Sequence, residues 1–192
     1  MEKMVKQVFS DSFMKLCNQK PIKAITVKNI VDYCEISKQT FYNYFCDKYD
    51  LMNYIYQSGV QSILMRFENS NCSLRNSIQG VFEMCLENKR YYTAIAEFSV
   101  QNSFPKYFFE HTRNYYVNRL ISNYGEEALT KSLEMAIYFN SAGTEELFID
   151  WVKRGMKESP IYMASLICNC MPPELRRFYF DDEICTTKKG VK

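Results

Sequence analysis

Glycine and proline are scarce, six and five in 192 residues. A chain of many short strands needs turn-makers at each reversal, so their scarcity points away from an all-β fold and toward helices. Histidine occurs once, at His111. With a single imidazole, no Gly-rich phosphate loop, no His-Glu-x-x-His run and no Ser or Cys nucleophile motif, the common catalytic constellations are missing and no enzyme is expected. No stretch approaches the ~18 apolar residues of a membrane span. The first six residues lead straight into a mixed amphipathic segment, which is not the pattern of a signal peptide. Cysteines stand at 17, 34, 46, 72, 85, 168, 170 and 185, with no Cys-x-x-Cys pair. Reduced, mostly buried thiols in a cytoplasmic protein are the expectation. Cys168 and Cys170 are the one close pair. On a helix they point about 200° apart and cannot share a metal, so neither metal nor cofactor is expected.

Charge of one sign is also missing. The net charge is +2, and residues 1–58 hold it: eight lysines against six acids, while residues 59–192 carry 16 of each sign. So small an excess does not by itself separate a nucleic-acid surface from an ordinary solvated face.

What is present is apolar content, 47% of the chain, arranged with helical periodicity. Val5, Val8, Phe9, Ser12, Phe13 and Leu16 share one face of a first helix over about 2–18, which Lys20-Pro21 ends. Thr26 is a suitable N-cap for a short second helix with Ile30, Val31 and Cys34 in its stripe. Ser37 opens a third helix over 38–45. Asp47 caps a fourth over 48–67, with Leu51, Ile55, Ile63 and Leu64 on its apolar side. A polar break at 69–73 precedes helices at about 74–88, 90–99, 104–123, 126–155 and 159–171. From Asp181 the chain is polar, and its end reads as a disordered tail. The expectation is an all-α protein.

Helices two and three are joined by Glu35-Ile36-Ser37 alone, the size of a helix-turn-helix. At about 100° per residue from Ser37, the rings of Phe41, Tyr44 and Phe45 fall in one sector, facing inward. Gln39, Tyr42 and Asn43 fall opposite, with Lys38 and Thr40 on the rims. Side-chain amides pair with adenine edges, Lys with guanine or phosphate, and Tyr hydroxyls with phosphate oxygens. Geometry alone leaves a DNA reader and a plain helical hairpin both open.

The run Thr26-Val27-x-x-Ile30-Val31-x-x-Cys34-x-Ile36-Ser37-Lys38-x-Thr40-Phe41-Tyr42-x-Tyr44-Phe45-x-x-Lys48-x-x-Leu51 resembles the DNA-binding head of the TetR/AcrR family of transcriptional regulators. The resemblance implies a helix-turn-helix DNA-binding domain over 1–47 and a helical regulatory and dimerisation domain over 48–180. It implies that Thr26 caps helix two and touches a phosphate, and that Ser37 caps the recognition helix. Lys38, Gln39, Thr40 and Asn43 would reach the major groove. Tyr42 and Tyr44 would meet phosphates or bases at its edge, and Lys48 the DNA backbone. The family usually has glycine where this chain has Glu35, and often a small residue where it has Gln39. Glu35 adds a negative charge near phosphates and leaves open a co-regulator that acts through a protein partner.

The resemblance also implies a homodimer through two C-terminal helices, here near 126–155 and 159–171, and a cavity for a small-molecule effector. The stripe Leu129, Leu133, Ala136, Asn140, Gly143, Leu147 and Trp151 on the first of these helices, and Met163, Ala164, Ile167 and Met171 on the second, would form the pairing surface. The segment 143–160 resembles a subgroup that includes regulators of dihydroxyacetone kinase operons. Phe82, Tyr91, Tyr92, Phe98, Phe104, Tyr107, Phe108, Tyr115 and Tyr138 are candidate cavity walls, each alternatively plain core. His111 reads as a surface or packing residue. The whole is expected to be a dimeric repressor released from operator DNA by a small ligand.

Overall fold

The structure is a computed structural model that describes residues 2–69, 73–97 and 104–179; the side chains of 66–69 and 97 lie outside the description. The candidate wall residue Phe98 and the polar C-terminal tail therefore lie outside the described residues. Among the described residues ten α-helices follow in order: α1 Glu2–Cys17, α2 Val27–Cys34, α3 Lys38–Tyr42, α4 Lys48–Asn69, α5 Leu74–Glu87, α6 Lys89–Glu97, α7 Phe104–Tyr124, α8 Lys131–Lys153, α9 Pro160–Cys170 and α10 Pro173–Tyr179. No strand occurs among the described residues.

Local chemistry sets the boundaries. Thr26 caps α2 in a reciprocal box with Asn29, and Ser73, Thr130 and Ser159 cap α5, α8 and α9 through their hydroxyls. Each cap satisfies an amide that the first helical turn leaves without a partner. The Asp47 carboxylate does the same for α4, accepting from the amides of Tyr49 at 2.7 Å and Asp50 at 2.9 Å.

The described structure departs from the sequence expectation at several points. Residues 126–130 are not the start of the long helix. Gly125 takes φ 84°, a short 3-10 turn spans Glu126–Ala128, and Thr130 starts α8 afresh. The third helix stops at Tyr42, with Asn43 as its C-cap. α10 was not expected; it opens on Pro173 with Glu174 in its first turn, both favourable at a helix start. Val8 is exposed rather than core.

One apolar cluster runs without a break from the first helices into the body. Phe9, Phe13, Ile30, Phe41, Phe45 and Leu51 join through Met52, Tyr56 and Tyr91 to Phe82, Phe108, Phe148 and Trp151. A second cluster, around Tyr116, Leu120, Leu133, Ile137 and Leu175, closes the far end under α10. α5 packs against α9 and α7 against α8, while α4 touches α1, α5 and α7 and so links both ends.

Candidate nucleic-acid interface and internal cavity

α2 ends in a left-handed turn. Glu35 adopts φ 56° and ψ 32°, a region that favours glycine because a Cβ crowds the following carbonyl. The amide of Glu35 donates to the carbonyl of Val31, as does that of Ile36 at 3.1 Å. One terminal carbonyl of the helix, that of Val31, thereby accepts twice, and the chain is redirected into α3. Ser37 is extended, and its hydroxyl accepts from the amide of Thr40 at 3.0 Å and lies 2.9 Å from the Thr40 hydroxyl. Ser37 and Thr40 are thus both engaged in starting α3.

Behind α3, Phe41 and Phe45 are buried, with Phe41 edge-on to Phe9 at 5.2 Å. In front, Lys38, Gln39, Tyr42 and Asn43 are exposed, Tyr42 at 54%. Gln39 Nε2 donates to Asn43 Oδ1 at 3.3 Å, which leaves the Gln39 carbonyl and the Asn43 amino group facing outward. Thr26 is also exposed, its hydroxyl taking the Asn29 amide at 3.2 Å. Tyr44 is half-buried, with the Lys6 ammonium 5.8 Å from its ring centre.

Lys48 is placed differently from the expectation. Its ammonium donates to the carbonyls of Ile22 and Ile25, both at 2.8 Å, and burial pushes it below the usual lysine range. It ties the start of α4 to the turn that precedes α2. The cations of the head are all lysines, the first arginine of the chain being Arg66. No guanidinium is therefore available there for the bidentate contact to guanine that arginine makes.

A cavity of about 70 Å³ lies between α4, α5, α7, α8 and α9. Of the candidate wall residues, Phe82, Phe108 and Tyr115 line it. Tyr91 and Tyr92 are buried apart from it, Tyr91 donating its hydroxyl to the carbonyl of Met52 at 3.2 Å. Phe104 packs edge-on to Tyr56, and Tyr107 donates to Gln57 Oε1 at 3.1 Å. Tyr138 is 54% exposed on the outer side of α8, against Phe109. The walls also include Tyr56, Thr112, Tyr116 and Thr144, which were not among the candidates, and His111, expected as a surface or packing residue. His111 packs with Tyr56 at 5.5 Å and Tyr107 at 6.1 Å, and burial lowers its pKa. Its spacing from Phe108 and Tyr115 (three and four residues) already placed it on their face.

The expected pairing stripe is largely turned inward. Leu133, Asn140, Trp151, Met163, Ala164, Ile167 and Met171 are buried in the chain's own core, Leu129, Ala136 and Leu147 are half-buried, and Gly143 is exposed. The outer side of α8 instead exposes Met135, Tyr138 and Phe139, the last at 71%, and α9 exposes Ile161 and Tyr162. Among the described residues no cluster of three potential metal ligands occurs, and no helix is long and apolar enough to cross a membrane.

Residues 12–55 match the family described as bacterial regulatory proteins, tetR family, and residues 73–172 match that described as transcriptional regulator C-terminal region. No curated protein matches the chain. Among solved structures, the dihydroxyacetone kinase operon activator DhaS is similar with a TM-score of 0.64 over 91% of this chain and 97% of its own, at 20% identity. That likeness shows a shared fold. With a helix-turn-helix at its start and the regulator's C-terminal region over more than half its length, the chain belongs to the TetR family of transcriptional regulators.

Proposed function

We propose that the protein is a homodimeric repressor that binds operator DNA through α3 and is released when a small molecule occupies the cavity. The observation that carries this reading is the outward face of α3. Lys38, Gln39, Tyr42 and Asn43 are exposed together on a helix fixed from behind by Phe41 and Phe45. Gln39 and Asn43 read base edges, Lys38 and Tyr42 contact the rim of the groove, and Thr26, Ser37, Thr40 and Tyr44 line its approaches. Lys48 contributes by holding the head together. In this reading residues 1–47 form the DNA-binding unit and 48–180 the regulatory one. The exposed sides of α8 and α9 pair two copies, since clustered apolar side chains in water favour association. The pairing sets two heads about 34 Å apart, one turn of the duplex.

Filter binding to the DNA upstream of its own gene, over a range of salt, tests the reading. Binding that weakens steeply with salt is expected, since each neutralised phosphate releases counterions. Deletion of the gene should raise transcription from that promoter. DhaS is named an activator, so a fall in transcription would keep the DNA-binding reading and reverse its sign. Glu35, exposed on the turn before α3, favours one second reading, a co-regulator that acts through a protein partner. Absence of any salt-dependent DNA binding would select it.

A further inference from the structure

We propose that the cavity takes an uncharged molecule no larger than a single small ring, apolar or aromatic, with at most one hydrogen-bonding group, directed at His111. This rests on the reading of the cavity as the effector site and specifies what that site accepts.

The walls decide the charge. Among the described residues, no Asp, Glu, Lys or Arg lines the cavity. A carboxylate or ammonium moved there would lose part of its hydration with no opposite charge to meet it, an unfavourable exchange. Tyr56, Phe82, Phe108 and Phe148 offer ring surface instead, suited to edge-on or offset contacts with another ring. His111, Thr112 and Thr144 are also among the lining residues, though nearly all of the lining surface is apolar. Burial holds His111 below its usual pKa, so at neutral pH the imidazole is uncharged and can donate from one nitrogen or accept at the other.

Size follows from volume. An apolar cavity of about 150 Å³ holds one benzene ring; 70 Å³ is under half of that, so a short branched chain fits as the walls stand and a single ring, the upper bound, enters only as they move apart. Tyr56 belongs to α4, so an occupant presses directly on the helix that carries the head.

The molecule supplies its own reporter. Trp151 is the only tryptophan; it is fully buried and lies edge-on to Phe82, a wall residue, at 4.9 Å. Trp151 emission of the full-length protein should be titrated with toluene, benzyl alcohol, benzoate and benzylamine. Toluene and benzyl alcohol are expected to change it saturably, with benzoate and benzylamine at least about tenfold weaker. Thr144→Met fills the cavity and should abolish the response while the cooperative melt is retained. Thr112→Met serves if that variant fails to fold. His111→Phe should remove any preference for benzyl alcohol over toluene. Equal or tighter binding of benzoate or benzylamine, blocked by the filling variants, overturns the ligand class and leaves the cavity as the effector site. A response that the filling variants leave intact overturns the location. No response to any of the four overturns the proposal and the effector role of the cavity together, whatever filter binding shows about DNA.

Discussion

Glu35 holds a left-handed conformation that an L side chain enters at a cost of about 1–2 kcal/mol. Glu35→Gly removes the clash but loosens the unfolded chain, and is expected to raise stability by about 0.5–1 kcal/mol in urea melts. The same change removes a negative charge beside the DNA-facing helix and should tighten binding at low salt. His111, the only histidine, gives a second prediction. Its folded pKa is lowered by burial, so the unfolded chain binds the proton more readily. Its stabilisation is complete above the ordinary histidine value, about 6.5, and is lost as pH falls through the folded value. Urea midpoints at pH 7.5 and about 5.5 should differ in that sense, and His111→Asn should flatten the difference. Glu145, raised by burial, has the opposite sign but acts in the carboxylate range. The strain at Glu35 was legible through the resemblance, because the family usually has glycine at that position of the turn. The spacing of His111 put it on the face of Phe108 and Tyr115 but did not say which way that face points, because α7 carries aromatic side chains all round and its periodicity selects no single inner face.

The recognition helix supplies predictions at the scale of the element. Tyr42→Ala should weaken DNA binding at all sequences alike, whereas Gln39→Ala or Asn43→Ala should relax base preference at a cost of about 1–3 kcal/mol for the preferred site. Because Gln39 donates to Asn43, the double variant should lose less than the sum of the two singles. Specificity measured over a library of operator variants separates these outcomes. Lys48→Ala should cost stability first, about 1–3 kcal/mol for two hydrogen bonds to a charged group, and DNA affinity as a consequence. A variant that folds normally yet loses DNA binding would return Lys48 to the phosphates. The caps of α2, α3 and α4 were readable as Thr, Ser and Asp ahead of apolar stripes. The true start of α8 was obscured because the apolar spacing continues through Leu129 into Leu133, and only Gly125 and Thr130 interrupt it. Its two sides were confused for a related reason. Both carry large apolar residues, so periodicity located a stripe without saying which one the chain keeps for itself.

For the molecule as a whole, the exposed rings of α8 and α9 give the last prediction. Phe139→Lys, at a position already 71% exposed, should leave the monomer folded and shift the mass measured by light scattering from two chains toward one. DNA affinity should fall with it, because a single head makes half the contacts. A dimer that persists unchanged would move the pairing surface elsewhere. α4 matters differently at this scale. Its 22 residues span about 33 Å at 1.5 Å per residue. Its first turn is anchored to the head by Lys48, and Tyr56 further along touches the cavity. Such a rod converts angle into distance. A tilt of about 5° about its far end carries the near end ~3 Å, close to the ~3.4 Å rise of one base pair, so a displacement of about 2 Å at Tyr56 is enough to put a head out of register with its half-site.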